Sequence, residues 1–137
     1  MEIYDVAVIG GGPAGMMSAG RSAELGNKVI LIEKNSSLGV KLLITGGGRS
    51  NVTNAEYDIR TFLKKYKDSD KFLFSAFSQS SVKDSIEFFN KKGMPTKVEA
   101  EKRVFPVSDS SKSVWDVLVN YMKSGNVTIK TDSPVVG

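Results

Sequence analysis

Residues 10–15 read Gly-Gly-Gly-Pro-Ala-Gly, and this glycine turn with its flanks limits the possible folds more than any other feature. Residues 4–9 (YDVAVI) lead into it as a short apolar run rich in β-branched side chains, suited to a buried parallel strand. Pro13 falls where a helix begins, a position whose N–H has no intrahelical partner in any case. Residues 14–25 set Ala19 and Ala23 one helical turn apart, and Gly26 is placed to end that helix. Residues 28–33 (KVILIE) make a second apolar strand that closes on an acid. Strand, glycine turn, helix and strand within about 30 residues form a βαβ crossover, which commits the start of the chain to a parallel sheet.

The turn fits the pattern G-x-G-x-x-G. Gly10 permits the sharp exit from the strand, Gly12 lets backbone approach a pyrophosphate, and Gly15 lets the helix lie against the strand. Pro13 and Ala14 open a helix whose unpaired N–H groups and positive dipole end favour phosphate. Glu33 follows about 20 residues on, at the carboxyl end of the second strand, where it can accept from ribose hydroxyls. A carboxylate there repels a 2′-phosphate, which disfavours NADP. The competing account is a chance glycine turn followed by a solvated glutamate. The preceding strand, the following helix and the placement of the acid all weigh against it. The implied ligand is FAD or another ADP-containing dinucleotide. The motif's place at the N-terminus, and the loop that follows, favour FAD over NAD.

Composition narrows the chemistry. The sequence has 137 residues, enough for one ordinary domain with a core, and its 40% hydrophobic and 25% charged content is that of a globular protein. Cysteine and histidine are both absent, which excludes disulfides, thiolate catalysis, His or Cys metal sites and an imidazole base. Catalysis, if any, falls to other side chains or to a bound cofactor; no catalytic residue and no metal ligand are assigned. The net charge of +4 is dispersed: Lys64, Lys65 and Lys67 are followed by Asp68 and Asp70, which reads as a solvated face and not a nucleic-acid footprint. No apolar run suits a membrane span. Glu2 and Asp5 stand where a signal peptide would be positive, so a cytoplasmic protein is expected.

Residues 41–54 read KLLITGGGRSNVTN. Gly46, Gly47 and Gly48 could form a nest of N–H groups for an anion, and Arg49 could add a planar cationic fork. Asn51, Thr53 and Asn54 offer amide and hydroxyl groups suited to the edge of a flavin ring. The same residues fit a glycine-rich surface turn equally well. Beyond the loop, Ile59, Phe62, Leu63 and Tyr66 fall at helical spacing, as do Val82, Ile86 and Phe89. Ser81 with Asp84 resembles a capping box, and Gly93 is placed to close that helix. Residues 96–98 and 103–105 suit a small hairpin around a charged turn. Residues 114–122 suit a helix ended by Gly125, and residues 127–130 a further strand. Residues 133–137 (SPVVG) read as the entry to another strand, as in the front portion of a longer enzyme with an unpaired edge open to self-association.

Several of these segments together resemble the BaiN/YhiN-like flavoproteins, which include aminoacetone oxidase-like enzymes. That family shows a glycine fingerprint, an acid-Lys pair and a stretch of the form G-x-K-L-L-x-S-G-G-G-R-C-N-x-T-N. Here these are Gly10 to Gly15, Glu33-Lys34, Gly39, and Lys41 onward to Asn54. Gly93-Met94-Pro95-Thr96, the RVFPVS segment from Arg103, and Ser113-Val114 with Leu118 are similar to later family segments. Thr45 replaces the usual Ser, Ser50 the usual Cys, and Val40 a basic residue. The resemblance implies FAD-dependent oxidoreductase chemistry in a longer protein, with Lys34 and Lys41 among the cofactor-binding residues. The hard step then belongs to the flavin.

The expected fold is therefore α/β: a Rossmann-like FAD/NAD(P)-binding βαβ unit with an added helical segment and a small β element, incomplete relative to the family. Residues 1–137 form the N-terminal portion of an FAD-binding domain. They divide into the dinucleotide unit (3–34), the glycine loop (39–54), the helical segment (58–93), and a hairpin, helix and strand (96–137). The expected function is FAD binding within a flavin-dependent oxidoreductase. An NAD-dependent dehydrogenase domain and a non-catalytic, truncated nucleotide-binding module are the alternatives.

Overall fold

The computed structural model describes residues 2–136. Strand β1 (Val6–Ile9), helix α1 (Pro13–Glu24) and strand β2 (Val29–Ile32) form the crossover, and β1 pairs parallel to β2 from Val6 opposite Val29 to Ile9 opposite Ile32. The last strand returns to the same sheet. Its order is β1-β2 followed by the strand Thr128–Lys130, which is parallel to β2.

Between them lies an irregular middle. Helix α2 (Val40–Ile44) runs into a 3-10 turn (Thr45–Gly48) and the two-residue strand β3 (Thr53–Asn54). Helices α3 (Ile59–Leu63), α4 (Asp70–Gln79) and α5 (Val82–Lys91) follow, with a 3-10 stretch at Lys64–Ser69. Strands β4 (Thr96–Val98) and β5 (Arg103–Pro106) then form an antiparallel hairpin. Helix α6 (Ser111–Ser124) leads into β6 (Thr128–Lys130). The second sheet has the order β3-β5-β4.

Local chemistry accounts for most of these boundaries. Asp58 caps α3 by accepting from the Thr61 N–H at 2.7 Å. Ser81 and Asp84 form the expected reciprocal capping box on α5. The apolar spacing that includes Tyr66 does not continue as α-helix. The α-helix ends at Leu63, and Lys67 adopts a positive φ of 50° within the tighter turn. Residues 40–44, expected as loop, form a short helix because Leu42 is buried in the main core.

That core lies on one face of the parallel sheet. Val29 and Leu31 meet Met16 and Ala19 of α1 and Val114, Leu118 and Met122 of α6. The expectation of a fully buried first strand is corrected here. Ala7 and Ile9 alternate onto the opposite face, where Ile9 is 67% exposed. A smaller cluster of Phe62, Leu63 and Val82, with Phe77 against it, holds the helical segment together. Among the described residues, no helix is long and apolar enough to cross a membrane.

Helices α1 and α6 approach closely at Gly20, where an added Cβ would strike the Tyr121 ring. The ring cannot easily move, because its hydroxyl donates to Glu24 at 2.8 Å and Phe88 packs edge-on at 5.0 Å. Gly20→Ala should therefore lower stability, since overpacking of about 1–3 kcal/mol exceeds the roughly 0.5–1 kcal/mol gained in helix propensity. Urea denaturation measures this, and an unchanged or higher midpoint would refute the contact.

Candidate functional site

The glycine turn leaves β1 at Gly10, whose φ of 99° is reached most easily without a side chain. The Gly10 N–H extends the β ladder by donating to the Ile32 carbonyl at 2.8 Å. Gly12 then caps α1 in an extended conformation. A Cβ at Gly12 would meet nothing within 4 Å, so the space beside the helix N-terminus is open. A Cβ at Gly15 would strike the carbonyl oxygen of Gly10 and lie 3.5 Å from Val8. Gly15 thus admits the turn itself as well as the strand.

Glu33 lies just beyond β2 and is only 7% exposed. Its Oε2 accepts the Gly11 N–H at 2.6 Å, while Oε1 accepts the Asn35 backbone N–H at 2.8 Å and the Asn35 side-chain amide at 2.6 Å. The N–H groups of Asn35 and Gly11 hold the carboxyl below its ordinary value, against the opposing effect of burial. A carboxylate has about four acceptor positions, so three protein donors leave room for a ligand hydroxyl. A hollow of about 210 Å³ adjoins it, lined by Ile9, Gly10, Ile32, Glu33, Lys34 and Pro134, among others.

Gly11 and Asn35 were not among the residues singled out from sequence. Gly11 occupies a free position of the fingerprint, but a Cβ there would strike Leu38 and come within 3.1 Å of Glu33 Oε2. The available signal was a glycine at the middle of a run of three, where the fingerprint requires none. Asn35 had none beyond its adjacency to the acid-Lys pair.

The second glycine loop is tied to the first. The Gly39 N–H donates to the Gly11 carbonyl at 2.8 Å, and Thr45 Oγ1 closes α2 on the Leu42 carbonyl at 2.7 Å. Gly46, Gly47 and Gly48 have φ of 56°, 64° and 83°. They are three left-handed residues in succession, not the right-then-left order typical of an anion nest. The chain then turns so that Pro13 of α1, Lys41 of α2, and Gly46, Asn51 and Phe89 share the wall of a cavity of about 410 Å³. Thr45 and Ser50 also reach it.

Several candidate side chains are engaged by protein partners. Arg49 Nη1 donates to Glu99 Oε1 at 3.0 Å and to Asp109 Oδ1 at 3.2 Å, and the guanidinium lies 4.1 Å from the centre of the Phe105 ring. Thr53 pairs with Val104 across β3 and β5, and Asn54 donates to the Glu101 carbonyl. With its amide oriented toward the facing carbonyls, Asn51 donates to Thr53 at 2.8 Å and Val104 at 3.1 Å. Lys34 is exposed at the hollow, and Ala14 is exposed at the start of α1.

Comparison with known proteins gives the family and the fold. Residues 4–137 match the family described as the HI0933-like protein Rossmann domain, and the chain belongs to that family. It is similar to the ribosomal RNA dihydrouridine synthase of Escherichia coli (strain K12), 32% identical over 136 residues, 99% of this chain and 33% of that protein. It is also similar to the 3-dehydro-bile acid delta(4,6)-reductase of Clostridium scindens, 29% identical over 128 residues, 92% of this chain and 30% of that protein. The chain thus spans about a third of the length of these relatives. Among solved structures, the open conformation of a flavocytochrome c3 fumarate reductase has a TM-score of 0.70 at 23% identity, covering 97% of this chain and 27% of that one. The 3-ketosteroid-delta4-(5alpha)-dehydrogenase of Rhodococcus jostii RHA1 has a TM-score of 0.68 at 17% identity, covering 94% and 38%. The fold is that of an α/β, Rossmann-like FAD-binding domain.

The Glu33 contacts carry a pH dependence of fixed sign. Its carboxyl is lowered in the folded state, so its stabilisation is complete above the ordinary value of 4.5 and is lost as pH falls through the lower folded value. Glu33→Gln should cost about 1–3 kcal/mol at pH 7, with the gap to wild type closing under acid. Urea unfolding at a series of pH values checks this. A gap that stays constant into acid would show that the charge is not what Gly11 and Asn35 hold.

Proposed function

We propose that this member of the HI0933-like family is the FAD-binding portion of a flavin-dependent oxidoreductase, whose remaining chain supplies the substrate side. The observation that carries the reading is that one glycine turn, residues 10–13, borders three features. The hollow at Glu33 suits the adenosine ribose. The open space at Gly12, beside the N–H groups of α1, suits a pyrophosphate. The cavity lined by Pro13, Lys41 and Asn51 suits the ring end of a dinucleotide.

The residues fit the cofactor in their chemistry. Glu33 keeps an acceptor position for a ribose hydroxyl, and its negative charge turns away a 2′-phosphate. Pro13 and Ala14 leave the helix entrance free of large side chains. Gly47 and Gly48 have open space where a Cβ would lie, so backbone there is accessible to a ligand. Lys41 brings a positive charge, and Asn51 an amide, to the cavity wall. Lys34 adds a second cation at the adenosine end. When bound, FAD supplies the acceptor for an electron pair, which the chain's own side chains do not offer. The chain's part is to bind, orient and electrostatically tune it.

Gly12→Val tests the reading directly. The backbone at Gly12 has φ of −75°, which any residue adopts, and the added side chain meets no protein atom at Cβ. The fold should persist while calorimetric titration shows ADP and FAD binding abolished. Unchanged affinity would end the proposal. Glu33→Ala should weaken ADP as well, by the roughly 1.5–3 kcal/mol of a hydrogen bond to a charged group before water compensates.

A further inference from the structure

We infer that Arg49 acts as a positioning residue, which fastens the second glycine loop to the β4–β5 hairpin through Glu99 and to the segment before α6 through Asp109, and thereby sets the cavity wall at Asn51. The inference rests on the FAD reading above. Arg49 is one of four charges that alternate in sign, with Glu99, Lys97 and Asp109. Its Nη1 reaches both oxygens of Glu99, at 3.0 and 3.2 Å, and Asp109 Oδ1 at 3.2 Å. Lys97 Nζ in turn reaches Asp109 Oδ2 at 2.6 Å and Glu99 Oε1 at 3.2 Å. A phosphate approaching Arg49 would meet two carboxylates already in its coordination sphere. The guanidinium face is also taken, by the Phe105 ring beneath it.

The loop needs such a fastening. Three glycines in succession have more backbone freedom to lose than any other residues, and they carry no side chain to pack. Only main-chain contacts hold the turn internally, with Arg49 N–H on the Gly46 carbonyl at 3.3 Å and Ser50 N–H on the Thr45 carbonyl at 3.1 Å. Arg49 is the first side chain after the glycines. Glu99 directly follows β4 and Asp109 lies in the segment before α6, so one guanidinium joins three parts of the chain. Immediately downstream, the Val52 N–H donates to the Val104 carbonyl at 2.8 Å, which continues the seam. Asn51 lies between the fastening and the seam, and its place in the cavity wall follows from both.

A charge-neutral variant of the partners separates positioning from direct phosphate binding. Glu99→Gln/Asp109→Asn releases Arg49, whereas Arg49→Ala removes it; Glu99→Gln alone serves as the milder change should the double variant fold poorly. If Arg49 positions the loop, both changes should speed amide hydrogen exchange at residues 46–51 by about tenfold. Both should weaken FAD by a similar factor, leave ADP within about twofold, and combine non-additively in a mutant cycle. If the carboxylate variants instead bind FAD as well as or better than wild type while Arg49→Ala loses it, Arg49 is a ligand and the inference falls. Unchanged exchange at residues 46–51 in Arg49→Ala would also overturn it. Loss of ADP from wild type and variants alike would count against the FAD reading itself, through a different measurement.

Discussion

A buried carboxylate that accepts backbone N–H groups from two separate turns holds this site together. Glu33 Oε2 takes the Gly11 N–H at 2.6 Å, at the point where the glycine turn passes the end of β2. Burying an ionised group is costly unless donors replace the lost water, and here Gly11 and both nitrogens of Asn35 do so. The same Gly11 peptide region faces two ways. Its N–H serves Glu33 and its carbonyl accepts from Gly39. One residue therefore couples the first strand, the second strand and the loop beyond it. The direction in which the N-terminus of α1 points is a consequence of that coupling.

Helix α6 carries the coupling onward. It packs against α1 through the close contact of Gly20 with Tyr121, and contributes Val114 and Leu118 to the cavity wall. Near its start, Trp115 Nε1 donates to the Leu38 carbonyl at 2.9 Å and Ser111 Oγ to the Leu43 carbonyl at 2.8 Å. The element that supports the fingerprint helix thus also pins both ends of the segment leading to the second glycine loop. The spacing between the two glycine turns is a property of helix packing, and it decides how far the hollow at Glu33 lies from the cavity at Lys41.

The first half of the site was legible in the sequence because its determinants are local. A strand, a glycine turn, a helix and an acid at fixed spacing leave few alternatives for Gly10, Gly12, Gly15 and Glu33. The Ser81 and Asp84 capping box and the β4–β5 hairpin were legible for the same reason: each is completed within a few residues. The helix at residues 40–44 was not, because five residues carry too little periodicity to distinguish it from loop. Nor was the addition of β3 to the hairpin, which pairs Thr53 with Val104 across a long separation in sequence. The side chains of Arg49, Asn51 and Asn54 carried the right chemistry for a ligand, yet the structure gives each of them protein partners.

The sequence by itself determined that a βαβ unit would set a helix N-terminus beside an acid at the end of the second strand, since spacing and backbone sterics suffice for that. Tertiary structure alone decided what the second glycine loop does with its polar groups. A guanidinium or amide takes whichever partner the packing brings within hydrogen-bond distance. For Arg49 those partners, Glu99 and Asp109, lie 50 and 60 residues away. Only the folded arrangement of the hairpin and α6 could bring them to it.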